Sequence, residues 1–387
     1  MKLPLEYFFV IVFPLVLVLP LPLLASSIAL GAALLNVLIV SGARGGWRTV
    51  SFKGVNQNIL VVFGALIIII DSLTSSLRSF SLEPVFREVR VSFIIVPLVL
   101  WLVKDKIYRL RPQILFSMVL GVLLYILYSY GYLTYFYTNV ITSRNFELSH
   151  FLIYDLRKNL PGAYHHTYIG MYMTFSIAIL LYGSLGINKI YSYLIVCFIL
   201  LNQVGIGSKL TLLMSLVLIA YYSKKYFKSE LTRAFKVFLL FVLILLVVGF
   251  FIYESGVFNS ISFSSSNRIE SWQCALQGFF RKPFLGYGHE MSVVYMDECI
   301  TSNAISTHNQ YLEELLNYGV FGIWLPVLLM FLYLKSKNDG LFKIFLVMII
   351  VLGLFENILS LQRGVLFFVF FSTFFCLKSN SIEGHKR

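Results

Sequence analysis

Apolar runs of membrane-spanning length recur along the whole chain, and they restrict its fold more than any other feature. A scan for apolar stretches of about 20 residues predicts about 12 spans. They cover residues 5–23, 25–41, 58–75, 91–103, 113–135, 164–183, 189–203, 207–222, 235–253, 319–335, 341–356 and 361–377. Of the 387 residues, 58% are hydrophobic and only 13% are charged, too few charges to cover a soluble globule. The predicted fold class is therefore all-α, a polytopic transmembrane helix bundle.

The first apolar run has a second interpretation, a secretory signal peptide. Lys2 precedes the run, and Ala25 and two serines follow it, as at a cleavage site. The run is longer than a typical signal core, however, and the segment after it, residues 28–40, is itself apolar. A membrane span is the favoured interpretation.

The distribution of basic residues predicts the orientation of the chain. If both termini are cytoplasmic, most Lys and Arg residues fall in cytoplasmic segments, whereas the outer segments carry most of the acidic residues. The formal net charge of +13 then follows from the orientation of the chain in a membrane. We expect membrane lipids, and no nucleic acid, as partners.

The longest outer connection, residues 254–307, is too polar to span and too varied in composition to be a simple linker. Long ordered loops commonly carry function, so we expect the site there, on the outer side of the membrane. A shorter outer loop over residues 136–163 is the second candidate.

A surface helix is predicted within the large loop. Asn267 and Glu270 have the spacing of a capping box, so the helix should begin near residue 267. An amphipathic face suited to the membrane surface follows, formed by Ile269, Trp272, Leu276 and Phe279. Arg268 would then lie in the first turn, where a cation opposes the helix dipole unless an anion is bound. The alternative is that Arg268 only reaches lipid headgroups.

A second helix start is predicted at Thr307, which has capping-box spacing to Gln310. His308 would be the first helical residue, where the helix dipole disfavours the imidazolium form and leaves a neutral ring able to accept a proton. His308 is therefore a candidate general base. The alternative is an interfacial histidine that only bonds to backbone.

The order of these motifs resembles the signature of the O-antigen ligase and polymerase family, integral membrane glycosyltransferases of bacterial cell-surface assembly. The resemblance covers roughly residues 205–372. It rests on Asn267-Arg268, Trp272, Pro283, Gly286-Tyr287-Gly288, His308-Asn309, Tyr311-Leu312, Gly319 and Gly322, on Gly207-Ser208-Lys209, and on Phe355-Glu356 with Gln362-Arg363-Gly364. Lys209 stands where the family usually has Arg, which keeps the charge but loses bidentate phosphate binding.

The resemblance implies an inverting, metal-independent transfer of a glycan from undecaprenyl diphosphate to an acceptor hydroxyl, that of lipid A core or of another glycan. His308 would be the base and no cofactor would be needed. His166 and Glu356 are candidates for substrate binding, each with a purely structural alternative. Cations would meet the charge of the diphosphate, and the candidates are Lys209, Arg268, Arg363, Arg90 and Arg157.

The same resemblance divides the chain into N-terminal transmembrane helices over residues 1–204, a ligase-like domain over 205–377 that includes the loop 254–307, and a cytoplasmic tail over 378–387. It leaves ligase and polymerase open, because both use the same donor. A transporter or flippase of lipid-linked sugar would also need many spans. It should carry charges at mid-span, which these runs almost entirely lack.

Two of the four cysteines, Cys274 and Cys299, fall in the large outer loop. A disulfide there would close a loop of about 25 residues and add about 3 kcal/mol to stability. Two free thiols remain the alternative from sequence.

Overall fold

The computed structural model describes residues 5–21, 64–65, 92–102, 104–107, 109–139, 165–183, 185–226, 263–300, 306–336 and 339–384. The regular structure of these residues is helical, with no strand among them, so the all-α prediction is confirmed for this part of the chain. In chain order the helices are α1 Leu5–Val18, α2 Ser92–Leu102, α3 Lys104–Ile107, α4 Arg111–Asn139, α5 His166–Tyr182, α6 Lys189–Ile206, α7 Lys209–Tyr226, α8 Phe263–Arg281, α9 His289–Cys299, α10 Gln310–Tyr318, α11 Trp324–Lys335, α12 Gly340–Gly353 and α13 Gln362–Gly384.

Three segments in the described part of the chain are long and apolar enough to cross a membrane: Arg111–Tyr135, Lys189–Ile206 and Gln310–Lys335. Shorter apolar helices cover Ser92–Trp101, Lys209–Ser223, Gly340–Gly353 and Gln362–Leu377. The count of about 12 spans stays a prediction. The predicted spans 25–41 and 235–253, and almost all of 58–75, lie outside the described residues.

The sequence predicts a helix that stops at Gly319, and this stop is confirmed, because α10 ends at Tyr318 with Gly319 as its C-cap. A 3-10 turn over Gly319–Ile323 then joins α10 to α11, where the sequence predicts a span over 319–335. Gly319 adopts a φ of 59°, and its N–H donates to the carbonyl of Leu315. The glycine therefore ends α10, and the chain continues through the 3-10 turn into α11.

The chain divides into two compact units, and each is described by itself. The first comprises residues 1–33 and 109–258, and the second comprises residues 34–108 and 259–387. The division at residue 204 that the sequence suggests stays a prediction.

In the first unit α5 is the central helix, packed against α4, α6 and α7, and its residues 167–181 are all buried. Polar side chains join α5 to its neighbours. Gln203 Nε2 donates to Thr174 Oγ1 at 2.9 Å, and Thr174 Oγ1 lies 3.0 Å from Ser215 Oγ. Gly170 allows α7 to approach closely, because a Cβ there would overlap the side chain of Thr211. Small residues and interhelical hydrogen bonds of this kind hold helices together in lipid.

The second unit has an aromatic core. Helix α13 packs against α2, α11 and α12, and its buried rings meet those of α12. The Phe342 and Phe375 rings stack 5.1 Å apart, and Phe345 packs against Phe367 at 5.5 Å. From α2, Phe93 contacts Trp324 edge-on at 5.9 Å. These ring contacts join α12 to α13 and α2 to α11.

Helices α8, α9 and α10 form a smaller packed group in the same unit. A disulfide joins Cys274 of α8 to Cys299 of α9, so the cross-linked alternative is the one the structure adopts. Around it lie Ala275, Tyr295 and Leu316, all buried. The disulfide holds the packed face of α8 against α9. Arg268 belongs to this cross-linked helix.

Candidate functional site

Helix α8 begins at Phe263, so the predicted start near residue 267 is wrong, and Arg268 lies beyond the first turn. The helix packs through a face of small residues, formed by Ser271, Cys274, Ala275 and Gly278. Leu316 and Tyr295 occupy the space that a Cβ at Gly278 would need. Arg268 therefore does not stabilise a free helix terminus with a bound anion, and its partner must be found elsewhere.

The opposite face of α8 is apolar and exposed. Ile269, Leu276 and Phe280 are 57%, 40% and 73% exposed, and they lie on the side away from the packed face. Two residues of the predicted amphipathic face, Ile269 and Leu276, are thus turned outward. That this face rests on a membrane surface stays a prediction.

The segment from Pro283 to Gly288 is locked to the end of α10 by backbone hydrogen bonds. Tyr287 and Gly288 donate their N–H groups to the carbonyls of Leu316 and Asn317, at 2.9 and 2.8 Å. Gly286, with a φ of 62°, lies so close that a Cβ there would overlap the Asn317 carbonyl. The backbone N–H groups of this segment are therefore used inside the fold, where they hold α8 against α10.

His308 precedes α10 and is not its first residue. Asn309 is the N-cap, and its Oδ1 accepts from the N–H groups of Tyr311 and Leu312 at 3.0 and 3.1 Å. The predicted cap at Thr307 is therefore wrong, because the asparagine two residues later satisfies the free N–H groups of α10. His308 adopts a φ of 46°, and among the described residues it is the only non-glycine residue with positive φ.

The Glu356 carboxylate brings Arg268 and His308 together. Its Oε1 accepts from Arg268 Nη2 at 2.9 Å, and its Oε2 lies 3.4 Å from His308 Nδ1. Arg268 Nη1 also donates to the Phe355 carbonyl at 3.0 Å. The imidazole contact is longer than a typical N–H···O hydrogen bond, as is common for catalytic pairs without substrate. A cation, a carboxylate and an imidazole thus form one cluster.

The three side chains are partly open to solvent. Glu356 is 13% exposed, whereas Arg268 and His308 are 29% and 34% exposed. Two of the five guanidinium N–H bonds are engaged by the contacts described above, and the rest can meet an incoming anion. If His308 carries its proton on Nδ1, facing Glu356, its Nε2 is left as the basic nitrogen. The cluster can therefore bind an anion and accept a proton side by side.

The other predicted site residues are distributed over the chain. Arg363 belongs to the same unit, in the first turn of α13. Lys209 begins α7 and His166 begins α5, both in the first unit. Arg90 and Arg157 lie outside the described residues. Each of these five stays a predicted substrate-binding residue.

Sequence reasoning missed the polar residues that hold the 354–361 loop against the start of α10. Asn357 Nδ2 donates to Ser306 Oγ at 3.0 Å and to Glu313 Oε2 at 3.2 Å. The Leu359 N–H donates to Gln310 Oε1 at 2.7 Å. In the sequence, the one feature that marks these residues is that they are polar side chains at the ends of otherwise apolar segments.

Comparison with known proteins supports the family resemblance. A family described as O-antigen ligase matches residues 190–327, a range that includes Arg268 and His308 and ends before Glu356. A search of the curated proteins gives no match. The apolar helices and this match together identify an integral membrane protein. The resemblance that the motifs indicate is thus confirmed over residues 190–327, which are similar to the O-antigen ligase family.

Proposed function

We propose that the chain is a glycosyltransferase that moves a glycan from undecaprenyl diphosphate to an acceptor hydroxyl of lipid A core, with inversion and without a metal. The family match suggests a ligase or polymerase type of activity. The donor, the acceptor and the residue roles are proposals. The observation that carries them is the Glu356 carboxylate, which contacts both Arg268 and His308.

His308 acts as general base in this proposal. Glu356 accepts a hydrogen bond from Nδ1–H and orients the ring, so Nε2 removes the proton from the acceptor hydroxyl as that oxygen attacks the anomeric carbon. The bond from the anomeric carbon to the diphosphate oxygen breaks on the opposite face, which inverts the configuration. The proton ends on His308, and the electron pair ends on the lipid diphosphate.

Arg268 stabilises the leaving diphosphate, but it does not suffice alone. Its positive charge is offset by Glu356 at 2.9 Å, and that carboxylate repels an approaching anion. Further cations are therefore required. Arg363 of the same unit and Lys209 are the proposed partners, with Arg90 and Arg157 as additional candidates.

The proposed periplasmic location has two supports. The apolar segment Gln310–Lys335 and the returning helix α12 bring the 354–361 loop back to the end where His308 lies, whereas Lys335 and Lys343 lie toward the opposite end. Basic residues favour the cytoplasmic side. The Cys274–Cys299 disulfide of the same unit is typical of an oxidising compartment.

A vesicle assay with purified protein tests the function. Proteoliposomes receive pre-formed undecaprenyl-linked glycan and lipid A core on the outside, and we expect glycan-capped lipid A core as product. Longer lipid-linked chains, formed when donor is supplied alone, would make the protein a polymerase, the first alternative. Movement of the donor across the bilayer with no transfer would make it a flippase and would contradict the proposal.

A further inference from the structure

The backbone of His308 is held in an unfavourable conformation. A φ of 46° lies in the left-handed region, which costs free energy for a residue with a Cβ. Such a conformation persists only where surrounding contacts impose it. The structure must therefore contain contacts that fix the turn of residues 306–309.

Those contacts come from both flanks of His308 in the chain. The His308 N–H donates to Ser306 Oγ at 3.3 Å, and the Asn309 N–H donates to Thr307 Oγ1 at 3.3 Å. Both hydroxyl groups also contact Asn357. Its Nδ2 donates to Ser306 Oγ at 3.0 Å, and its Oδ1 lies 3.1 Å from Thr307 Oγ1. One amide side chain thus contacts the hydroxyl groups of the two residues that precede His308, and these hydroxyls accept from the N–H groups of His308 and Asn309.

Glu313 completes the network from α10. Its Oε2 lies 2.8 Å from Thr307 Oγ1 and accepts from Asn357 Nδ2 at 3.2 Å. Thr307 is fully buried, so its hydroxyl depends on these protein partners. The network therefore joins the segment before α10, the first turn of α10 itself and the 354–361 loop.

Asn357 directly follows Glu356, the residue that faces the His308 ring. Two consecutive residues thus act on one histidine: Glu356 contacts its imidazole, and Asn357 acts on its backbone N–H through the Ser306 hydroxyl. A displacement of the turn would move the ring relative to Glu356 and to any acceptor hydroxyl. Misplacement of a catalytic group by about 1 Å can cost 100-fold in rate.

We propose that Asn357, supported by Glu313, is a positioning residue that holds His308 in its strained turn so that the imidazole faces Glu356. This rests on the proposed role of His308 as base. Asn357 acts through His308 and does not touch the diphosphate. Its loss should therefore lower kcat and leave the KM for donor unchanged.

The first test compares Asn357→Ala with the wild type in the proteoliposome transfer assay. We expect kcat to fall roughly 10- to 100-fold and the donor KM to stay within twofold. Asn188→Ala is the matched control, because Asn188 caps α6 through one local hydrogen bond in the first unit, and it should retain wild-type kcat. A kcat within twofold of wild type for Asn357→Ala, or a raised KM with kcat unchanged, would overturn the proposal.

The second test exchanges the amide of Asn357 and the carboxylate of Glu313 between the two positions. Asn357→Asp alone places a second carboxylate beside Glu313 and should lower kcat through repulsion. Asn357→Asp combined with Glu313→Gln restores one amide and one carboxylate, and the Ser306 and Thr307 hydroxyls can reorient to donate to the new Asp. We expect the double substitution to recover most of the kcat that Asn357→Asp loses. The double variant must retain the Cys274–Cys299 disulfide and give a single size-exclusion peak. If such protein shows no recovery of kcat, the proposed positioning role of Asn357 is contradicted.

The third test uses a background without the base. In His308→Ala protein, the added Asn357→Ala substitution should leave the residual transfer rate unchanged, because no imidazole remains to be positioned. A further loss of transfer there would assign Asn357 a role independent of His308. If His308→Ala itself transfers at the wild-type rate, the proposed role of His308 as base is wrong. That result is distinguishable from a failure of the positioning role of Asn357, which the other two variants test.

Discussion

At the scale of single residues, Glu356 connects the guanidinium and the imidazole of the candidate site. Its two oxygens face Arg268 and His308 respectively, and the side chain is only 13% exposed. The carboxylate has opposing effects in our account, because it orients the base and also repels the diphosphate. The two effects are separable, since orientation appears in kcat and repulsion in donor binding.

Glu356→Gln should lower kcat and tighten donor binding. The amide keeps the shape of the side chain but removes the negative charge, so the His308 ring is held less well while Arg268 is left fully positive toward the diphosphate. We expect kcat to fall roughly 10- to 100-fold and the donor KM to fall severalfold, measured by initial rates of transfer. Glu298→Gln, an exposed residue of α9, is the control and should change neither value. An increased KM with unchanged kcat would show that Glu356 binds substrate directly.

The sequence identifies the participants of this cluster but not their pairing. Arg268 and His308 stand out because each is a polar residue at a predicted helix start, and Glu356 lies in a motif that resembles the family pattern. Glu356 lies 88 residues from Arg268 and 48 residues from His308 along the chain. No local pattern indicates that Glu356 contacts both, because that pairing depends on how α8, α10 and the 354–361 loop pack.

At the scale of elements, the contact between the 283–288 segment and the end of α10 places α8 beside the His308 turn. Gly319 allows this approach, because a Cβ there would overlap the Pro283 carbonyl and reach Phe284. The Val320 N–H in turn donates to the same Pro283 carbonyl at 2.6 Å. The position of Arg268 relative to Glu356 depends on this junction.

Gly319→Ala should destabilise the protein more than the same change at a glycine that also has a positive φ but lies in open space. Gly186 has a φ of 72° and no neighbour within 4 Å of its Cβ position. We expect Gly186→Ala to cost about 1 to 2 kcal/mol from φ alone, and Gly319→Ala roughly 2 to 4 kcal/mol because overlap is added. Thermal unfolding midpoints in detergent measure the difference. Equal shifts for both variants would mean that the junction tolerates a side chain.

Helix starts show where sequence reasoning stops. It places caps at Asn267 and Thr307 from their spacing to Glu270 and Gln310. In the structure α8 begins four residues before Asn267, and Asn309 caps α10. Several polar residues near each start satisfy the same spacing rule, and tertiary contacts select among them. Thr307 instead contacts Glu313 and Asn357, partners that spacing alone cannot reveal.

At the scale of the whole molecule, the proposed transfer reaction requires the His308 end of the second unit to face the periplasm. Lys335 and Lys343 flank the turn between α11 and α12, and the 354–361 loop lies at the other end of α12. Hydropathy predicts the α-helical membrane class correctly because backbone groups in lipid must be satisfied internally. Hydropathy does not predict how the helices pack against one another, because lipid-facing and buried apolar side chains have similar compositions.

Single cysteines at the two ends of α12 test this orientation. Ser360→Cys lies in the 354–361 loop and Gly340→Cys at the start of α12, both exposed, in a background with Cys197 and Cys376 changed to Ala. We expect a membrane-impermeant maleimide to label Ser360→Cys in intact spheroplasts and Gly340→Cys only after lysis. The disulfide-bonded Cys274 and Cys299 should stay unlabelled in the background protein until a reductant is added. The reverse pattern would place the site in the cytoplasm.

The role of His308 as the base is the central claim, and single-turnover transfer by His308→Ala in proteoliposomes tests it most directly. Donor binding is measured on the same protein with the undecaprenyl-linked glycan. We expect transfer to fall by roughly 10²- to 10⁴-fold while the donor Kd stays within twofold of wild type, because the imidazole acts on the acceptor hydroxyl and Arg268 on the diphosphate. Transfer within twofold of the wild-type rate, by protein that is inserted and retains its Cys274–Cys299 disulfide, would contradict the account.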